Sequence, residues 1–126
     1  MIYAKSNPKE TLKEHTQKLI DNLEILKKIY QNRLKKTQEF WELLKFAAFY
    51  HDFGKIDPVF QNKIRNKIGE PTLQESPKKQ EKEIPHNYLS IIFLDKEKII
   101  QKYGEKKWLI LLFRFLTIMT KDMNTV

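Results

Sequence analysis

The sequence predicts an all-α domain, a helical bundle of about five to six helices, and three features carry that expectation. Apolar residues recur at steps of three and four along most of the chain, the period of one helical face. Capping residues, prolines and single glycines punctuate those runs at helix-length intervals. Strong strand alternation and hairpin turns are absent throughout, and no internal repeat is visible. With 126 residues, 40% of them apolar, the material suits one core, so 1–126 reads as a single domain.

Asn7-Pro8 offers a capping residue followed by proline at a first helical position, and Leu12, His15, Leu19, Leu23, Leu26 and Tyr30 then share a stripe. His15 lies on that stripe and is expected to face the interior. Thr37 can cap a second helix in which Phe40, Trp41, Leu43, Leu44, Phe46, Ala47, Ala48, Phe49 and Tyr50 are apolar nearly all round. That helix is expected to be the most buried. It runs into His51-Asp52-Phe53-Gly54, where Gly54 suits a left-handed helix end. Asp57-Pro58 opens a third helix to about Ile68, ended by Gly69. An exposed loop is expected over about 69–84, where charge is dense and periodicity low. Pro85 starts a helix through Tyr88, Leu89, Ile91, Ile92, Phe93 and Leu94, followed by a shorter stretch to about Tyr103. Gly104 separates it from a last buried helix over Glu105–Met119, rich in Trp108, Leu111, Leu112 and Phe115.

Lys and Arg number 24 against 16 Asp and Glu, a formal net charge of +8 that favours polyanions, although solvated lysine-rich faces produce the same surplus. Cysteine is absent, which excludes disulfides and thiolate ligands; any metal must be held by His, Asp or Glu. Met1 to Lys5 lacks the apolar run of a signal peptide, and no stretch approaches the ~20 apolar residues of a membrane span, so a cytoplasmic location is expected.

The 3 histidines, His15, His51 and His86, each sit on or beside an apolar helical segment. Imidazole is a common ligand of divalent transition metals, and an adjacent carboxylate adds a hard oxygen. His51-Asp52 falls where the central helix ends, so both side chains can enter one cavity that His15 closes from the first helix. A divalent ion there would acidify a water and polarise a phosphoryl oxygen. Each residue alone has a plain structural explanation: an inward His is ordinarily a core residue bonded to a carbonyl, and His-Asp dipeptides arise by chance. The longer string Phe49-Tyr50-His51-Asp52-Phe53-Gly54-Lys55 is more specific, fitting H-D-x-G-K. Lys55 could reach a phosphate and offset transition-state charge.

These residues resemble the HD phosphohydrolases and, within them, the nuclease domain of CRISPR-associated Cas3. The matching strings are Tyr3-Ala4-Lys5-Ser6, Thr11-Leu12 with Glu14-His15, His51-Asp52-Phe53-Gly54-Lys55 running into Pro58-Val59-Phe60-Gln61, and Pro85-His86-Asn87-Tyr88-Leu89-Ser90. The resemblance implies metal ligation by His15, His51 and Asp52, with His86 on a second ion, and catalytic roles for Asp52 and Lys55. The implied cofactors are divalent ions such as Mn, Mg, Ni, Co or Fe. Implied partners are single-stranded DNA, a Cas3 helicase domain, fused or separate, and the CRISPR surveillance complex. The family pattern continues with a histidine pair and an aspartate, whereas no His follows residue 86 here, so the chain is expected to be the N-terminal portion of such a domain, truncated at its C-terminus. Asp122 is a candidate closing aspartate. Two other readings stand beside the nuclease: a nucleotide phosphohydrolase, and a catalytically incomplete helical module that binds nucleic acid or a partner.

Overall fold

The computed structural model describes residues 1–34, 37–73 and 84–113. Their order is β1 (Tyr3–Ser6), β2 (Lys9–Thr11), α1 (Leu12–Leu34), α2 (Gln38–Tyr50), a 3-10 turn (Phe53–Ile56), α3 (Pro58–Ile68), α4 (His86–Ile92) and α5 (Lys96–Tyr103). A sixth helix, α6, is described over 105–113. Among the described residues the fold is all-α apart from one small antiparallel hairpin.

That hairpin corrects the expected helix start at Asn7-Pro8, which instead forms the tip between β1 and β2. Two start signals compete here, and the one used is a capping box at Thr11-x-x-Glu14. The Thr11 hydroxyl accepts from the Glu14 N–H at 3.2 Å while the Glu14 carboxylate accepts from the Thr11 N–H at 2.9 Å. Both bonds satisfy N–H groups that a helix end otherwise leaves open. The pairing Tyr3↔Thr11 and Lys5↔Glu10 leaves Ala4 as an extra residue. The resulting bulge lets consecutive Tyr3 and Ala4 both turn inward, each 3% exposed.

The other boundaries follow local chemistry. The Thr37 hydroxyl accepts from the Phe40 N–H to cap α2, and Asp57 does the same for α3 from the Phe60 N–H, with Pro58 at its first position. Gly69 and Gly104 adopt φ of 73° and 90°, which a side chain would resist. Asp95 caps α5 through the Lys98 N–H. Gly54 differs from expectation: it lies within the 3-10 turn and outside the left-handed region. The expected loop falls mostly on 74–83 and the end of the last helix on 114–119, both outside the described residues, as is Asp122.

The core is assembled on the C-terminal helices. Leu94, Ile99, Trp108 and Leu111 form its buried cluster, with Phe46, Ala47 and Tyr50 of α2 packed against it. The expectation that α2 is the most buried helix is corrected: Trp41 is its only buried residue, because α2 shares its faces between α1 and this cluster while Phe40 and Phe49 stay exposed. The stripe of α1 likewise divides, Leu12 being buried and Leu26 and Tyr30 exposed. No described helix is long and apolar enough to cross a membrane.

Hairpin and α3 are joined by Gln61, which is fully buried. Its side-chain carbonyl accepts from the Tyr3 N–H at 2.9 Å, and its amide donates to the Tyr3 carbonyl at 2.8 Å and the Lys55 carbonyl at 2.6 Å. At the rim, Glu70 takes hydrogen bonds from Lys9 and the Tyr3 hydroxyl, with Arg65 at 3.5 Å. These partners, the Lys9 bond foremost, hold the Glu70 carboxyl below its ordinary value of 4.5. A carboxylate depressed on folding adds stability above its unfolded pKa and loses it as pH falls through the folded one. Glu70→Gln is therefore expected to lower stability at pH 7 and to flatten the loss of stability below pH 4.5, as read by urea unfolding across that range.

Candidate metal centre

Local structure aims the site residues at one point. His15 sits in the first full turn of α1, which the Thr11 box fixes in place. His51 is the C-cap of α2, its N–H bonded to the Ala47 carbonyl. Asp52 follows with φ −106° and ψ 5°, the bridge region between helical and extended backbone, and this redirects its side chain from the α2 axis. Lys55 lies in the 3-10 turn and His86 is the first residue of α4.

The turn and α4 meet at backbone distance. A Cβ on Gly54 would stand 1.9 Å from the His86 carbonyl oxygen and 2.8 Å from Leu89 Cβ, so only glycine fits. Ser90, fully buried, completes this contact. Its hydroxyl accepts from the Gly54 N–H at 2.8 Å and lies 2.8 Å from the His51 carbonyl and 2.7 Å from the His86 carbonyl, to either of which its single proton can be donated. One side chain thus holds both segments that carry the histidines.

Asp52 is the centre of the cluster and is 3% exposed. Its Oδ2 lies 3.0 Å from His15 Nε2, 3.3 Å from His51 Nε2 and 2.9 Å from Lys55 Nζ, and its Oδ1 lies 3.2 Å from His86 Nε2. Burial pushes the carboxyl up, but the hydrogen bond from His86 and the charges of His51 and Lys55 prevail, holding it far below the usual range. His15, His51, Asp52, Lys55 and His86, separated by up to 71 positions in sequence (86 − 15), are brought together around this one carboxylate.

The other ring nitrogens decide what the cluster can hold. His51 Nδ1 lies 2.8 Å from the Ala48 carbonyl, which can only accept, so that nitrogen carries a proton. His15 Nδ1 faces Glu10 Oε2 at 2.9 Å, and the same assignment follows. Each Nε2 faces Asp52 Oδ2, and it can donate a proton to that oxygen as imidazolium or, unprotonated, share a divalent ion with it. Among the described residues, His15, His51 and Asp52 form a group whose donor atoms all lie within 4.8 Å of one another. The donor set fits a borderline divalent ion.

Glu10 is the member that sequence reasoning missed. It is 5% exposed, and besides His15 it takes a hydrogen bond from Lys18 at 2.6 Å and lies 3.7 Å from Lys5. Lys18 first, then His15, pulls its carboxyl down to about 2. Within a lysine-rich N-terminus it reads as another solvated charge, and the hairpin that buries it has no sequence signal.

Beside known families, a model described as "Cas3, HD domain" matches residues 6–117. No match was found among curated proteins or among solved structures.

Ser90→Ala is expected to destabilise the fold by about 1–3 kcal/mol, since the buried Gly54 N–H then lacks its acceptor. Urea unfolding would show this as a lower midpoint at unchanged slope.

Proposed function

From the premise that the chain belongs to the Cas3 HD-domain family, a family of metal-dependent HD nucleases, we propose that it cleaves single-stranded DNA in CRISPR interference. The observation that carries this reading is the convergence of His15 and His51, each with Nδ1 engaged away from the site, on the buried Asp52 carboxylate.

His15, His51 and Asp52 would hold a divalent ion, and His86, facing Asp52 Oδ1, would be a ligand for a second. A divalent ion bound there supplies Lewis acidity, lowering the pKa of water and polarising a phosphoryl oxygen. The chain's own groups supply the rest. Asp52 is kept ionised at a buried position, so it remains an oxygen donor across the working pH range. Lys55, 11% exposed at its side chain, is held against Oδ2 by an ion pair and would be the cation that meets an entering phosphate oxygen. Exchanging its carboxylate partner for that phosphate would place a cation against the charge that develops in phosphoryl transfer. The formal charge of +8 favours a polyanionic strand. Partners in this reading are the Cas3 helicase domain, fused or separate, and the CRISPR surveillance complex that presents displaced DNA; the setting is the cytoplasm.

The test is degradation of circular single-stranded DNA with Mn²⁺, Mg²⁺, Ni²⁺, Co²⁺ or Fe²⁺ added singly. Cleavage is expected in at least one metal and absent in Asp52→Asn and His51→Ala. Lys55→Ala is expected to lower the rate by roughly 10²–10³-fold, the scale of one lost charge-stabilising group. Phosphate release from mononucleotides without DNA cleavage would move the assignment to a nucleotide phosphohydrolase. DNA binding with no cleavage in any of the five metals would make the chain a binding module.

A further inference from the structure

The two histidines that share Asp52 Oδ2 are oriented by different means. The Nδ1 proton of His51 goes to a main-chain carbonyl of its own helix, Ala48, which every sequence provides. The Nδ1 proton of His15 goes to a side chain, Glu10, on another element. Glu10 is buried in β2, and a carboxylate at 5% exposure is seldom found without a set of partners that account for it. Here the partners are Lys18, one turn beyond His15 on α1, Lys5 on the paired strand, and the imidazole itself. Lys18 donates to Oε1, which leaves Oε2 turned toward His15.

We propose that Glu10 is the positioning residue of His15, fixing the ring by accepting its Nδ1–H so that Nε2 presents a lone pair beside Asp52 for a divalent ion. This rests on the metal-centre reading above and extends it to a residue outside the ligand set. An imidazole pivots about its Cβ–Cγ bond, and a half-turn would exchange Nδ1 for a carbon. The Glu10 carboxylate makes one of those orientations favourable and, being anionic, increases electron density on Nε2. The hairpin gains a role by the same argument. Its pairing Lys5↔Glu10 sets where the carboxylate stands, and Gln61 ties β1 to the carbonyl of Lys55, so that carboxylate and catalytic turn share one frame.

The experiment is calorimetric titration of the full chain with Zn²⁺, a diamagnetic probe, for the wild type, Glu10→Ala, Glu10→Gln and His15→Ala. It is paired with histidine ring ¹⁵N spectra of the zinc-loaded proteins and with circular dichroism to verify folding. Glu10→Ala is expected to weaken zinc binding by roughly 10–100-fold. Glu10→Gln keeps an acceptor for Nδ1–H without the charge and is expected to lose only severalfold. The ring signals of His15 should change in both variants while those of His51, held by Ala48, do not; a general loosening of the fold would move both. Weakened binding in His15→Ala with wild-type affinity in both Glu10 variants overturns the positioning role and leaves the metal centre standing. Unchanged affinity in His15→Ala as well refutes the metal centre itself, and the role of Glu10 with it. If Glu10→Ala fails to fold, the isosteric Glu10→Gln decides: a severalfold loss confined to the His15 signals supports the role, and wild-type affinity overturns it.

Discussion

The close approach of Gly54 to the first turn of α4 is the contact on which the site depends. His51 and Asp52 arrive on the end of α2 and His86 on the start of α4. With no Cβ at Gly54, the turn settles against the His86 carbonyl, and Ser90 reaches from the next turn of α4 to take the Gly54 N–H. A residue with any side chain at 54 would push α4 away and carry His86 out of reach of Asp52 Oδ1. The glycine and the serine are thus the steric and hydrogen-bonded halves of one constraint. Both the His51 and the His86 carbonyls lie within hydrogen-bond distance of the same hydroxyl, which ties the two segments together.

Electrostatics works on top of that geometry. Asp52 is among the most buried charged groups described, and a buried carboxylate is costly unless its lone pairs are engaged. Three imidazoles and Lys55 surround it, so its ionised form persists despite burial. Glu10 repeats the arrangement one layer out, with Lys18, Lys5 and His15 as its partners. His15 therefore lies between two carboxylates, one at each ring nitrogen. The alternation of anion, imidazole and anion aligns the ring along a single axis, and removal of either carboxylate would release it from one end.

The legible parts of this chain are those that local chemistry decides. Thr37, Asp57-Pro58, Gly69 and Gly104 mark helix ends because each bond or dihedral they supply lies within a few residues. The cluster of His15, His51, Asp52, Lys55 and His86 was legible through the strings that surround these residues. The hairpin was not, because strands of 4 and 3 residues carry too little alternation to register, and what secures them is distant: Gln61 and Glu70, some sixty positions away. Asn7-Pro8 and Thr11-x-x-Glu14 are both sound helix starts in isolation, and only the partners of Tyr3 favour the second. Gly54 could be read as a required glycine, but the reason lies on α4 and not in its own dihedral angle. Glu10 had no signal at all, since its burial is a consequence of the hairpin.

The unequal support of the two ligands bears on how such a centre can vary. Ala48 holds His51 through a main-chain carbonyl, so no substitution at 48 that preserves the helix removes the acceptor. His15 is held by a side-chain carboxylate on the preceding element of the chain, and that carboxylate by lysines that are mostly exposed. The rigid half of the centre is therefore built into α2 and its turn, while the adjustable half rests on side chains of β2 and α1. The hairpin reaches His15 through Glu10 and the Lys55 carbonyl through Gln61, whereas His51 is held from within α2 and by the Gly54–Ser90 contact. In the proposed metal centre, the N-terminal hairpin would act on the ion through His15 while contributing no donor of its own.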